Sequence, residues 1–167
     1  MKMSEFMERM MKSIQEEEEL EQRSPLASFI YNNGYDEIGN CVLRKTELSK
    51  CQENNAIAIC RRKFKKEEII LFDILDENEE GEEGIVFTET AIYQWCGDTV
   101  QVDEIPYDEI IKVDYEGDCV ILWLSEDEAV ELNCGENAGE EKYTRYMYNF
   151  IADILEFLAK EETEVEE

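Results

Sequence analysis

The fold is decided in the stretch GIVFTETAIYQWCGDTVQVDEIPYDEI, residues 84–110. Its first two apolar runs, GIVFT (84–88) and AIYQWC (91–96), are short and rich in β-branched and aromatic residues, which is typical of buried strands. A strictly alternating run over residues 99–104 follows the glycine-first step Gly97-Asp98, as a type II′ hairpin requires. Neighbouring strands in this stretch are therefore predicted to be antiparallel.

The two-residue rhythm extends to both sides of this stretch and brings the predicted strands to seven. The other four lie at residues 69–75, 111–115, 119–124 and 130–134. After Gly135 the period becomes helical, and one apolar stripe contains Tyr143, Met147, Phe150, Ile151, Ile154 and Leu158. Short strands with tight turns favour a small barrel or a sandwich, and a single helix laid on the open end of a barrel would bury the apolar faces of both. The predicted fold class is α+β: a seven-stranded antiparallel barrel capped by a C-terminal helix, with an N-terminal helical extension.

The N-terminal extension begins with an amphipathic helix over residues 3–22. Its narrow, methionine-rich stripe contains Met3, Phe6, Met7, Met10 and Ile14, and Ser24-Pro25 ends the helix. Two interpretations stay open, because the stripe either docks on its own domain or forms a seam for a partner helix or a second copy.

The rest of the chain divides into a domain and a tail. Residues 26–45 give mixed signals, and residues 46–63 suggest a helix with Thr46 as N-cap and a basic exit. The predicted divisions are a helical extension (1–44), one domain (45–160) and an acidic disordered tail (161–167).

The charge is strongly negative and unevenly distributed. The chain has 43 acidic and 16 basic side chains, a formal charge of −27, yet residues 44–66 alone hold 8 basic and 2 acidic ones. This balance disfavours nucleic acid and anionic lipid as partners. No apolar run approaches the length of a bilayer span and no secretion signal is visible, so a cytoplasmic location is predicted.

The composition gives little support to catalysis or to a bound cofactor. The chain has no histidine, no glycine-rich phosphate loop and no GxSxG motif. Its six cysteines show no CxxC or other ligand-like spacing, so thiols packed in the core are predicted rather than a metal or disulfide framework. We expect neither an enzyme nor a cofactor or metal site.

Three local motifs resemble bacterial pleckstrin-homology-like (PH-like) domains. They are GIVFT (84–88), Ala91-Ile92-Tyr93 and IPYDEI (105–110), which look like the family's G-hydrophobic-hydrophobic-hydrophobic-T, I-Y and I-P-Y-x-x-I signature. The KEEII step at residues 66–70, leading from a helix into the first strand, is similar too. The resemblance covers residues 45–160, and it implies a seven-stranded barrel that binds partners rather than one that catalyses a reaction.

The connection between the first two predicted strands argues against lipid binding. Lipid-binding PH domains carry Lys and Arg in this loop, whereas residues 76–83 here hold six acidic side chains. At about 1 kcal/mol per charge near an anionic leaflet, these carboxylates would cancel the attraction of the basic residues 61–66. The same segment fits the start of an EF-hand loop, but Phe87 stands where the bidentate carboxylate is required.

The sequence therefore predicts a non-catalytic interaction module. The candidate partner-binding residues are Phe6, Met7, Met10, Trp123, Tyr143 and Tyr146, on the N-terminal helix and beside a groove between the last three strands and the C-terminal helix. For the aromatic residues, packing in the core is the open alternative. The second hypothesis is an acidic mimic that sequesters a basic or nucleic-acid-binding protein. Self-association through residues 3–22 is also open.

Overall fold

The computed structural model describes residues 3–33, 42–44, 50–74, 84–95, 102–116, 119–132 and 141–166. The helices are α1 (Met3–Arg23), α2 (Pro25–Asn32), α3 (Lys50–Ile59) and α4 (Glu141–Glu166). The strands are β1 (Val42–Arg44), β2 (Ile69–Ile74), β3 (Gly84–Thr88), β4 (Ala91–Trp95), β5 (Val102–Pro106), β6 (Lys112–Glu116), β7 (Cys119–Trp123) and β8 (Ala129–Leu132). The acidic segment 76–83, Thr46 and both glycine-first hairpin steps lie outside the described residues.

The strands form two separate antiparallel sheets, so the predicted closed barrel is wrong. The first sheet has the order β1-β2-β3-β4-β5 and the second the order β6-β7-β8. Closure would require β5 to pair with β6, but Pro106 ends β5 and a 3-10 turn, Tyr107–Glu109, separates the two strands. Proline cannot donate a ladder bond, which favours a strand end at this point. The α+β class holds, and helices α1, α2 and α4 share one core with both sheets.

The first sheet is covered on both faces, which explains its continuous apolar runs. Successive residues of a strand point to opposite faces. In β3, Ile85 and Phe87 join the larger core, while Val86 joins a second core beneath α3. GIVFT therefore reads as fully apolar because neither of its faces meets water.

The larger core unites both sheets with three helices. It contains Leu20 of α1, Ile30 of α2 and Phe150 of α4, all with at most 1% of their surface exposed. The rings of Phe87 and Phe150 lie 4.9 Å apart between sheet and helix. The C-terminal end of α1 and the whole of α2 thus share one core with the strands, although both precede residue 45.

Helix α2 begins with a local capping signal. The Ser24 hydroxyl accepts a hydrogen bond from the Ala27 amide at 3.2 Å, and Pro25 occupies the first helical turn, where its missing N–H costs nothing. Ser24-Pro25 therefore ends α1, as predicted, and also starts a helix that the sequence analysis left unassigned.

Helix α3 ends earlier than predicted, at Ile59, through an unusual backbone turn. Arg61 and Arg62 have φ values of 55° and 59°. The Arg62 amide donates to the Ile57 carbonyl at 2.9 Å and the Arg61 amide to the Ala58 carbonyl at 3.1 Å, which together form a Schellman motif. Glycine usually occupies this position, because the left-handed region costs other residues about 1–2 kcal/mol each.

Candidate functional site

The first half of α1 carries a continuous apolar stripe that the fold leaves exposed. We call it the α1 face; its members are Met3, Phe6, Met7, Met10, Met11 and Ile14, each at least 45% exposed. The polar residues on the other side of this half, such as Glu5 and Lys12, are exposed as well. Because neither side is covered by the described residues, residues 3–12 project from the domain.

The second half of α1 holds the helix in place. Leu20 is completely buried, and its carbonyl accepts a hydrogen bond from the Ser24 amide at 2.8 Å. This end packs against α2 and against the 3-10 turn Lys66–Glu68. Helix α1 is thus anchored at its C-terminal end and free along its N-terminal half.

The predicted partner-binding residues fall on three elements. Phe6, Met7 and Met10 lie together on the α1 face, whereas Tyr146 is exposed on α4. Trp123 is half-buried in β7, and its indole N–H is buried with no acceptor among the described residues. The side chain of Tyr143 lies outside those that the structure describes.

The groove predicted between the last three strands and α4 is filled by the helix itself. Helix α4 packs directly on β6 and β7. Its buried residues include Met147, Ile151 and Ile154, with at most 1% exposure. An open cavity lies elsewhere among the described residues, and no local sequence pattern predicted it.

This cavity, the acidic cleft, has a volume of about 870 Å³. On one side are two cross-strand pairs of β4 and β5, Ala91 with Pro106 and Tyr93 with Glu104. The turn residues Glu89 and Thr90, the segment Tyr107–Ile110 and the C-terminal part of α4 complete it. The described lining residues are Glu89, Thr90, Ala91, Tyr93, Glu104, Pro106, Tyr107, Asp108, Ile110, Leu155, Leu158, Ala159, Glu161 and Glu162.

Hydrogen bonds from the strand ends fix the cleft wall. The Tyr107 hydroxyl donates to the Thr88 carbonyl at 2.8 Å, and the Tyr107 amide donates to the Thr90 carbonyl at 3.0 Å. Burial raises the pKa of the Tyr107 phenol, which therefore stays a neutral donor. Pro106 and Tyr107 of the IPYDEI motif thus form part of one side of the cavity.

All the charged side chains among the described residues that line the cleft are acidic. Five carboxylates lie on it, from Glu89, Glu104, Asp108, Glu161 and Glu162, and none of its described lining residues is basic. Lys63, which does not line the cleft, makes an ion pair with Glu104 at 2.9 Å. Burial, and then the charge of Glu104, raise the pKa of Tyr93 to about 12.

Two features of the described thiols and carboxylates bear on reactivity and on metal binding. Burial, followed by the charge of Glu104, raises the pKa of Cys60 to about 12, which suppresses the nucleophilic thiolate. Within the described ranges, no group of three or more acidic or cysteine side chains is arranged to hold a metal ion. The helices in those ranges are all too short or too polar to cross a membrane.

Comparison with protein-family models, with curated proteins and with solved structures finds no match to this chain. The resemblance to PH-like domains therefore stays a prediction that depends on the order of the local motifs.

Proposed function

We propose that the chain is a non-catalytic interaction module that binds a protein partner through the α1 face. The single observation that carries this proposal is the projection of α1: six large apolar side chains on one helix stripe are exposed to solvent. A contiguous apolar patch of this kind is typical of a protein-binding site, whereas surfaces without a binding role usually expose apolar side chains singly.

The partner that fits this face is a different protein with an apolar groove. An amphipathic helix binds such a groove through anchors at three- and four-residue spacing, which Phe6, Met7 and Met10 supply. Methionine side chains are flexible and adapt to irregular apolar surfaces, so the α1 face can bind a groove whose shape is not fully complementary to it. A second copy fits less well, because each chain carries a formal charge of −27 and the stripe continues into the acidic Glu17, Glu18 and Glu21.

The second candidate function is an acidic mimic that binds a basic protein. It is supported by the charge of residues 67–167, which hold 32 acidic and 4 basic side chains. Salt separates the two proposals. Mimicry requires affinity to collapse between low and moderate ionic strength, whereas apolar binding by the α1 face changes little.

A cytoplasmic location belongs to the same proposal. Cys51 and Cys60 form no disulfide in the structure, and thiols that stay reduced are typical of a reducing compartment. A module without a catalytic centre would act there by bringing its partner to other molecules.

The test compares the native chain with two double variants. Met7→Ser/Met10→Ser removes two anchors from the α1 face, and Glu5→Ser/Lys12→Ser changes two exposed residues on the opposite side of α1 without changing the net charge. Partners are captured from the native cell, and each is then purified and titrated against all three chains. We expect at least about tenfold weaker binding for the methionine variant alone, since two apolar anchors supply about 1.4 kcal/mol or more.

Light scattering on the purified chains decides between a partner and a second copy. A monomeric native chain whose purified partner discriminates the methionine variant supports the proposal. A native dimer that the methionine variant splits would mean that the face joins two copies. Equal binding of the partner by all three chains would place its site away from α1.

A further inference from the structure

A second surface, separate from the α1 face, has the shape and charge of a binding site. The acidic cleft, at about 870 Å³, lies within the range of about 300–1,000 Å³ that is typical of ligand-binding clefts. Its apolar part comes from Pro106, Ile110, Leu155 and Leu158, and the last two are half-buried in the absence of any occupant. An apolar side chain inserted here would remove their remaining surface from water.

The charges around this opening are unfavourable for the protein alone. Five carboxylates surround one cavity whose described lining residues include no basic one, and of the five only Glu104 forms an ion pair within the described part of the chain, with Lys63 outside the cleft. Glu161 and Glu162 also lie in the last turns of α4, at the negative end of the helix dipole, where cations would be stabilising and carboxylates are not. Local rules of stability are broken most often at sites that serve a ligand, and a cationic ligand would relieve both conflicts.

We infer that the acidic cleft binds a segment of a partner protein in which Lys or Arg residues flank an apolar side chain. The apolar side chain enters between Pro106 and Leu158, and the cations reach Glu104 and Asp108 on one side and the carboxylates of α4 on the other. The occupant is identified by charge complementarity together with the apolar floor.

Two other classes of ligand fit less well. A metal ion needs converging carboxylates, and the described residues provide no such group. A polyamine would pair with the carboxylates of the cleft but would leave its apolar lining residues in contact with water. A protein segment satisfies both parts, and this inference does not depend on a partner for the α1 face.

The experiment uses a fluorescein-labelled heptapeptide, GKLKKLG, titrated at about 150 mM salt, where distant charges are screened. A chain with a charge of −27 attracts any cationic peptide, so a control of equal charge change is essential. The cleft variant is Glu104→Gln/Asp108→Asn. The control is Glu126→Gln/Asp127→Asn, in the exposed turn between β7 and β8.

We expect the cleft variant to bind the peptide about tenfold more weakly, and the control variant to lose less than about twofold. A peptide with both leucines replaced by serine should also bind about tenfold more weakly. Equal losses in the two protein variants would overturn the inference in favour of diffuse attraction. Undiminished binding of the serine peptide, or of spermine at equal affinity, would overturn it in favour of charge alone.

The two proposals fail separately. The Met7→Ser/Met10→Ser variant leaves the cleft intact, so its affinity for the heptapeptide should equal that of the native chain. Loss of peptide binding in this variant would mean that the peptide occupies the α1 face and not the cleft.

Discussion

Helices α1 and α4 carry similar apolar stripes, but only α4 buries its stripe along the sheets. Met147, Phe150 and Ile154 of α4 are at most 1% exposed, whereas Phe6 and Met10 of α1 are both 50% exposed. Hydrophobic periodicity identifies an amphipathic helix but does not name the surface that covers it. The residue types differ more than the spacing does: α4 presents aromatic and β-branched side chains that pack in one way, and α1 presents flexible methionines.

The largest test of this contrast replaces one phenylalanine in each helix by alanine. Phe150→Ala should lower the free energy of unfolding by about 3–5 kcal/mol, because a ring packed 4.9 Å from Phe87 would leave a cavity. Phe6→Ala should change it by less than about 0.5 kcal/mol, since half of that side chain already meets water. Urea unfolding followed by circular dichroism measures both. A large loss in the Phe6 variant would show that α1 packs on the domain in solution.

The second test divides α1 itself. Leu20→Ala should cost about 2–5 kcal/mol, since Leu20 is completely buried in the larger core, whereas Ile14→Ala should cost less than about 0.5 kcal/mol. The two residues are less than two helical turns apart, so the comparison locates where the helix leaves the domain. Equal costs, measured by the same unfolding experiment, would contradict an anchored end and a projecting end.

Local pattern was enough to place most of the strands. GIVFT over residues 84–88 is β3, and the runs predicted at 91–96 and 119–124 correspond to Ala91–Trp95 and Cys119–Trp123. Closure into a barrel was the wrong step, because it depends on pairing between β5 and β6, which lie in different sheets. No period within a strand contains that information, whereas Pro106 gave a local signal for the end of β5, because proline cannot donate a ladder hydrogen bond.

The sequence indicated one of the two candidate surfaces and gave no signal for the other. Helical spacing put Phe6, Met7 and Met10 on one face, and their role in binding stays a prediction. The acidic cleft was missed because its parts come from residues 89 to 162 and meet only where the C-terminal part of α4 lies beside β4 and β5. The IPYDEI motif, residues 105–110, indicated a resemblance to a family and gave no sign of a cavity beside it.

The smallest expected loss of stability concerns α2, which contacts both of the compared helices. It packs against both α1 and α4, and its Tyr31 hydroxyl donates to the Ile70 carbonyl at 2.6 Å. The strand register shifts between Ile69 and Leu71, so Ile70 is a bulge residue without an opposite partner in the β2–β3 ladder. Tyr31→Phe would leave a buried carbonyl without its phenol donor and should cost about 1–2 kcal/mol.

Tyr115→Phe is the matched control for that loss, because Tyr115 is 37% exposed. Water can take the place of the removed hydroxyl there, so the free energy of unfolding should change little. Thermal unfolding of the two variants should therefore separate them by several degrees, with only the Tyr31 variant lowered. If both variants melt like the native chain, the Tyr31 hydrogen bond contributes nothing measurable, and the apolar contacts of Leu26 and Ile30 alone hold α2 between α1 and α4. A lower melting temperature in the Tyr31 variant alone would show that the hydrogen bond to the bulge residue Ile70 stabilises α2, against which the anchored end of α1 packs.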